Sequence, residues 1–422
     1  MPEHRHQENH VREAIILAGG FGTRLKEALP NLPKSLAPVA GRPFLFYIIN
    51  YLRSQSVTRF IFSLGYLHEQ IEDFLAKEFS TLDYEIVIEQ EPMGTGGGIR
   101  LAAEKCVSKN VIVTNGDTLF KADIVEMIRL HETEEGLCSL ALKPMKDFDR
   151  YGVVELKGHR VISFREKKYY TQGLINGGLY ILNIPLFKEL TSLTTFSFEK
   201  DFLEKNSEQA KIIGVVQDEY FIDIGIPADY QRAQEEFRKP PLDLNAIDYS
   251  WTLFIDRDGV INHEKKDDYI LHWGEFRFYD GAKDAFRIFA KKFSKIIIIS
   301  NQRGVGRELM TDADLQEIHR NMQEEIEKSG GRIDRIYYCT SKDNRHICRK
   351  PNPGMAFLAR KDYPEIDFSR SIMIGNKPSD MLFGRYAGLH TVFLRTTNPG
   401  FGSPHQDVDL TYDSLVDFAK AL

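Results

Sequence analysis

The chain has 422 residues, 42% of them hydrophobic and 27% charged, which excludes a disordered, collagen-like or membrane-embedded chain. Lys and Arg total 55 against 61 for Asp and Glu, a formal charge of −6. No basic excess therefore advertises nucleic acid or an anionic membrane as a partner. At about 150 residues per domain, two or three domains are expected. The four cysteines, Cys106, Cys138, Cys339 and Cys348, are too few for a disulfide framework in a chain this long. The longest aliphatic runs, such as Ile296–Ile299, fall far short of the ~20 residues of a membrane span. Met1 to Arg12 is polar and has no apolar signal core, and its His4, His6 and His10 read as a solvated tail. A reduced, soluble, cytoplasmic protein is expected.

In chain order, apolar runs of strand length occur at 14–18, 59–64, 84–88, 111–114, 138–142, 179–182 and 212–216. Helical patterns such as 44–54 and 67–78 lie between them. This alternation predicts an α/β fold with a mostly parallel sheet covered on both faces. Near residue 240 the pattern resets. The helical run 227–237 ends in Arg238-Lys239-Pro240-Pro241, and paired prolines cannot continue a helix. A second set of strand-like runs follows at 251–255, 296–299, 336–338, 372–374 and 391–394. Two domains are predicted, 1–240 and 248–422, with the boundary at about 240–248.

In such sheets ligands bind at the carboxyl ends of strands. The first run is followed there by Gly19-Gly20-Phe21-Gly22-Thr23-Arg24. Glycines at this place let backbone N–H groups approach phosphate oxygens. The loop is not a Walker loop, since no Gly-Lys-Ser/Thr follows. It also fails the dinucleotide fingerprint, whose third glycine would fall on Leu25. Taken alone, the glycines are equally explained by a tight turn. Arg24 and Lys34 suit the negative charge of a triphosphate and of its leaving pyrophosphate. Asp117 follows the fourth run and Asp223 lies far downstream; both are hard oxygen ligands suited to Mg²⁺.

The run LAGGFGTRL…PKSLAPVAGRPFL resembles the sugar-nucleotide pyrophosphorylases over about residues 12–238. The resemblance implies a Rossmann-like nucleotidyltransferase sheet and a role for each matching residue. Gly19, Gly20, Gly22, Thr23 and Arg24 would hold nucleotide phosphates, and Lys34 the reacting phosphates. Gln90, Gly94, Thr95, Gly96 and Gly97 would surround base and ribose. Asp117 and Asp223 would hold Mg²⁺. Glu166, Lys167, Asn176, Gly177 and Gly178 would hold a sugar 1-phosphate. Outside this motif set, Glu166 and Lys167 would read as a surface ion pair.

The second half opens with Asp256-Arg257-Asp258-Gly259, which offers a nucleophile and a general acid/base beside a metal. Ser300-Asn301-Gln302, Cys348-Arg349-Lys350-Pro351 and Gly375-Asn376-Lys377-Pro378-Ser379-Asp380 follow. This order resembles the haloacid dehalogenase superfamily, in its capless histidinol-phosphate and heptose-bisphosphate phosphatase branch. The resemblance makes Asp256 the nucleophile and Asp258 the acid/base. Ser300 and Lys350 would stabilise the transferring phosphoryl group, and Asn301, Arg349 and Lys377 would recognise substrate. Asp256, Asp258, Asn376 and Asp380 would form the Mg²⁺ site, with Asn376 standing where relatives usually carry Asp. Relatives also carry a four-ligand zinc loop. Here Ser341 replaces one ligand, leaving Cys339, His346 and Cys348 where structural Zn²⁺ takes four. A shortened metal-free loop is favoured over zinc.

Fused, the two halves resemble consecutive enzymes of GDP-heptose biosynthesis. This implies GTP and heptose phosphates as small-molecule substrates, with no nucleic-acid or membrane partner. Two alternatives stay open. One is a mannose- or glucose-1-phosphate nucleotidyltransferase fused to a histidinol-phosphate-type phosphatase. The other is a regulatory protein built on two inactive folds. A homo-oligomer is compatible with the sequence, which sets neither base choice nor anomer.

Overall fold

The structure is a computed structural model that describes residues 11–20, 31–207, 211–265, 268–401 and 404–422. It divides between Lys239 and Pro240 into two compact units.

In the first unit a nine-stranded sheet runs in the order Asp83–Ile88, Arg59–Leu64, Glu13–Ala18, Asn110–Asn115, Tyr170–Asn183, Cys138–Phe148, Ile212–Val216, Arg160–Arg165, Val153–Lys157. The four strands from Asp83–Ile88 to Asn110–Asn115 are parallel. Their apolar runs are nearly continuous because helices cover both faces. Helix Phe44–Ser54 shows how: Phe44, Leu45, Ile48, Ile49 and Leu52 form a single buried stripe. The sheet is more mixed than its apolar runs predict. Tyr170–Asn183 pairs antiparallel with both neighbours, and Val153–Lys157 with Arg160–Arg165 forms an antiparallel margin. The polar Thr171 and Gln172 are exposed at the start of the long strand, so that stretch lacks the apolar signature of a core strand.

In the second unit six parallel strands run in the order Arg335–Cys339, Lys295–Asn301, Thr252–Ile255, Ser371–Gly375, His390–Leu394, Leu410–Tyr412. Ile296, Ile297, Ile298 and Ile299 are fully buried between helical layers. Helix Ala282–Lys292 packs Ala285, Phe286 and Phe289 into one face of the core, where Phe289 meets Phe293 and Phe418.

Both sheets place their first strand between neighbours that wind in opposite directions. Glu13–Ala18 sits between Arg59–Leu64 and Asn110–Asn115, and Thr252–Ile255 between Lys295–Asn301 and Ser371–Gly375. A crevice opens beyond the carboxyl end at such a switch point.

Candidate active sites

In the first unit that crevice is a cavity of about 530 Å³ lined by strand-end residues, among them Gly19, Gly20, Glu89, Asn115 and Asp117. Lys34, on the turn Lys34–Leu36, enters it and pairs with Asp117. Its Nζ lies 3.6 Å from Asp223 Oδ1. Asp223 is fixed by two donors, the Gly225 N–H at 2.7 Å and the Tyr151 hydroxyl at 3.3 Å. Asp117 and Asp223 come together because Thr118–Phe120 pairs antiparallel with Phe221–Asp223. Two carboxylates and one ammonium thus share a partly open site. The chemistry of this donor set fits Mg²⁺, which Asp117 and Asp223 would hold.

The other predicted residues divide. Gly94 and Thr95 line the cavity. The Thr95 hydroxyl is committed elsewhere, donating to Glu199 at 2.8 Å and accepting from the Phe198 N–H at 2.9 Å. Gly96 is a packing residue: a Cβ there would lie 2.2 Å from the Phe196 ring. Gln90 is exposed and outside the lining; its neighbour Glu89 takes the place, held by the Ser63 hydroxyl and the Met93 N–H, each at 3.1 Å. Glu166 and Lys167 are exposed and also outside the lining. The Asn176 amide donates to the Tyr180 hydroxyl at 2.9 Å. Gly177 packs on Phe120, where a Cβ would lie 2.2 Å from the ring. Gly178, at φ 70°, approaches Asn115 so closely that a Cβ would lie 2.7 Å from its amide. Gly22, Thr23 and Arg24 lie outside the described residues.

In the second unit Asp256 directly follows the strand Thr252–Ile255. Lys350 Nζ lies 2.7 Å from Asp256 Oδ1 and 2.7 Å from Asp380 Oδ1. All three are at most 5% exposed. Burial pushes the Asp256 carboxyl up, against the lowering field of Lys350 and with the raising field of Asp380. Burial alone would lower Lys350, but the two aspartates outweigh it and keep it a cation.

Asp258 is gripped by Arg257 Nη2 at 2.9 Å, Gln302 Nε2 at 2.8 Å and Asn262 Nδ2 at 3.0 Å. Burial would raise its carboxyl, but the Arg257 cation and these hydrogen bonds prevail and hold it below the usual carboxylate range. It therefore rests ionised. Ser300 accepts from Gln302 Nε2 at 2.7 Å. Asn301 exchanges two 3.1 Å bonds with the Lys350 backbone and so acts as a staple.

Lys377 Nζ pairs with Glu264 at 2.6 Å. Asp380 Oδ2 accepts the Asn376 and Lys377 N–H groups at 3.2 and 3.0 Å. Asn376 is fully buried, and its Oδ1 is an acceptor with no hydrogen-bond partner. This orphaned oxygen near the aspartates fits Mg²⁺, which Asp256, Asp258 and Asn376 would hold, with Asp380 anchoring Lys350.

Zinc does not fit. His346 Nδ1 accepts the Cys348 N–H at 3.2 Å and stands 3.8 Å from Cys339 Sγ. The ring nitrogen nearest the Cys339 thiol is thus already used by a backbone N–H. Among the described residues no three His, Cys, Asp or Glu side chains gather to hold a metal.

Sequence reasoning assigns no site role to Glu89, Asn115, Arg257 or Glu264, and names Gln302 only within the Ser300 run. The first two obey the strand-end rule, and Gln302 adjoins the Ser300 motif. Arg257 and Glu264 carry no local signal.

The family described as Nucleotidyl transferase matches residues 13–239, and the one described as HAD-hydrolase-like matches 347–413. The D-glycero-alpha-D-manno-heptose 1-phosphate guanylyltransferase of Aneurinibacillus thermoaerophilus is 48% identical over 226 residues, 54% of this chain and 98% of that protein. The Campylobacter jejuni protein of the same name is 43% identical over 219 residues, 52% of this chain and 96% of its own. The crystal structure of HddC from Yersinia pseudotuberculosis complexed with GMP-PN shares 36% identity at a TM-score of 0.50. It covers 54% of this chain and 100% of its own. Among the described residues no helix is long and apolar enough to cross a membrane.

Proposed function

The chain belongs to the nucleotidyl transferase family, and from that premise we propose that it is a bifunctional enzyme of GDP-D-glycero-α-D-manno-heptose formation. Residues 248–422 remove the 7-phosphate of heptose 1,7-bisphosphate, and residues 1–240 join the resulting heptose 1-phosphate to GMP from GTP. The observation that carries the transfer activity is the convergence of Lys34, Asp117 and Asp223 on one cavity. The reading is supported by 48% identity to a guanylyltransferase along nearly all of that relative's length.

For transfer, a phosphate oxygen of heptose 1-phosphate attacks the α-phosphorus of GTP in line. The new P–O bond forms as the α–β bridge breaks, and pyrophosphate leaves with the electron pair. The nucleophile is already an anion, so no protein base is required. Lys34 neutralises the reacting phosphates, and positioning does the rest. Mg²⁺, when bound, adds positive charge at the same phosphates.

For hydrolysis, the Asp256 carboxylate attacks the 7-phosphorus and forms an aspartyl phosphate while the sugar oxygen leaves. Lys350 stabilises the equatorial oxygens. Asp258, resting ionised on Arg257 and Gln302, is set to take a proton from the water that opens the aspartyl phosphate. To protonate the leaving oxygen first, it must gain a proton as substrate enters, and a phosphate ester binding as its monoanion supplies that proton. The four cysteines are free, and GTP and sugar phosphates are intracellular metabolites, so we place the protein in the cytoplasm.

Assays of the full chain with GTP, ATP, CTP and UTP against heptose, mannose and glucose 1-phosphates test the reading. GTP with heptose 1-phosphate is expected to release pyrophosphate fastest. A preference for mannose or glucose 1-phosphate would overturn the heptose assignment.

A further inference from the structure

Helix Gly94–Ala103 starts at the wall of the transfer cavity, where Gly94 and Thr95 line it, and its N-cap residue Met93 offers no side-chain cap. A distant strap, residues 194–199, holds that first turn instead. Phe196 makes two main-chain bonds to it: its N–H donates to Met93 O and its carbonyl accepts the Gly96 N–H, both at 3.0 Å. The fit is close. A Cβ on Gly94 would lie 2.6 Å from Phe196 O, and one on Gly97 2.3 Å from Thr194 O.

Glu199 is the polar end of the strap. Its Oε2 accepts from the Thr95 hydroxyl at 2.8 Å and from the Ser197 hydroxyl at 3.0 Å. The Thr95 oxygen in turn accepts the Phe198 N–H at 2.9 Å. A hydroxyl bonded on both sides is fixed in rotation, and an ionised acceptor makes the stronger kind of hydrogen bond. Glu199 itself lies outside the cavity lining, so its effect on a ligand passes through Thr95.

The acceptor is rooted in the core. Phe198, its neighbour in the chain, meets Tyr180 edge-on at 5.1 Å and Phe187 at 5.9 Å, and stacks on Phe202 at 5.2 Å. All four rings are at most 1% exposed. Packed support of this kind is what holds a binding wall in one geometry.

We propose that Glu199 is a positioning residue for the nucleotide: through Thr95 it fixes the cavity-lining start of helix Gly94–Ala103, against which the nucleoside of the triphosphate binds. The proposal rests on the transfer reading above and deepens it.

The test is pyrophosphate release by the full chain, with GTP and heptose 1-phosphate varied separately. Glu199→Leu keeps the bulk and offers no acceptor. It is expected to raise KM for GTP about tenfold, as loss of a hydrogen bond to a charged group predicts, and to leave KM for heptose 1-phosphate unchanged. Glu199→Gln keeps an oxygen for both hydroxyls and should recover most of that loss. Thr95→Val breaks the same bond from the other side and should raise KM for GTP alike, which also serves if Glu199→Leu does not fold. The double variant should bind GTP no worse than either single one. A fall in kcat at unchanged KM for GTP, or losses that multiply in the double variant, would overturn the assignment and leave Glu199 a purely structural residue. A wild-type chain that releases no pyrophosphate from GTP with any sugar 1-phosphate would overturn the transfer reading, and the role of Glu199 with it.

Discussion

Lys350 holds Asp256 and Asp380 together, its ammonium 2.7 Å from an oxygen of each, inside a core that leaves none of the three appreciably exposed. Removing one partner of a buried ion pair leaves an uncompensated charge, which costs about 3–5 kcal/mol. Lys350→Met should therefore lower the stability of the second unit by about that amount and abolish phosphate release. Both tryptophans, Trp251 and Trp273, lie in that unit. Urea unfolding followed by tryptophan fluorescence reads its stability directly; an unchanged midpoint would contradict the arrangement.

Lys34 occupies the matching position in the first unit, between Asp117 and Asp223. Lys34→Ala and Asp223→Asn should each reduce pyrophosphate release at least about 100-fold, the scale on which charge-stabilising groups act. Phosphate release should continue in both variants. Conversely, Asp256→Asn should end phosphate release and spare transfer to supplied heptose 1-phosphate. Loss of both activities in a folded variant would contradict separate sites.

Asn376 contributes a neutral oxygen where a carboxylate would bring a charge. Its Oδ1 is unpartnered, while its amide donates to Thr397 Oγ1 at 2.5 Å. Asn376→Asp should tighten Mn²⁺ binding at the phosphatase site by about tenfold, the effect of one added ligand charge. Mn²⁺ titration by electron paramagnetic resonance, in an Asp223→Asn background that weakens the other site, measures it. Equal affinities would show that Asn376 does not face the cation.

His319 is buried against Arg257, with 3.1 Å between Nε2 and Nη1. Burial first, then the Arg257 cation, press its pKa down to about 3. The unfolded chain takes up this proton near the ordinary pKa of about 6.5, so between pH 6.5 and 3 it binds more protons than the fold. Stability from this group is complete above pH 6.5 and is lost as pH falls, by at most about 1.4 kcal/mol per pH unit. The tryptophan-detected urea midpoint should decline from pH 7 to pH 5, and His319→Gln should flatten that decline. An equally steep decline in the variant would assign the acid sensitivity to other groups.

Gly96 is set against Phe196, where a Cβ would lie 2.2 Å from the ring. Gly96→Ala should destabilise the first unit by about 1–3 kcal/mol, as overpacking does. Thermal unfolding by calorimetry measures this; an unchanged transition would mean that the ring moves freely.

The sequence made the framework legible where apolar runs were long and doubly buried. The run Ile296–Ile299 is the core of strand Lys295–Asn301, and helix Phe44–Ser54 carries its buried stripe as its spacing predicts. Strands with one wet face were not legible; Val153–Lys157 and Arg160–Arg165 look like any polar surface segment. At the sites, residues in compact motifs are legible, among them Asp117 and Asp256 just beyond strand ends and Lys350 in the Cys-Arg-Lys-Pro run. Gln90 and Glu89 show the limit. They are neighbours at the end of one strand, and only the pleat decides which of them faces the cavity. The Gly96–Phe196 contact spans 100 residues of chain, and no local pattern announces it. Glu264 reaches Lys377 across a similar separation.

One measurement tests the central claim most directly. The full chain is incubated with heptose 1,7-bisphosphate, GTP and Mg²⁺, and the products are separated. GDP-heptose, phosphate and pyrophosphate should accumulate in equal amounts, and with Asp256→Asn neither phosphate nor GDP-heptose should form. Phosphate release without any GDP-heptose, or GDP-heptose formed undiminished by Asp256→Asn, would contradict the account.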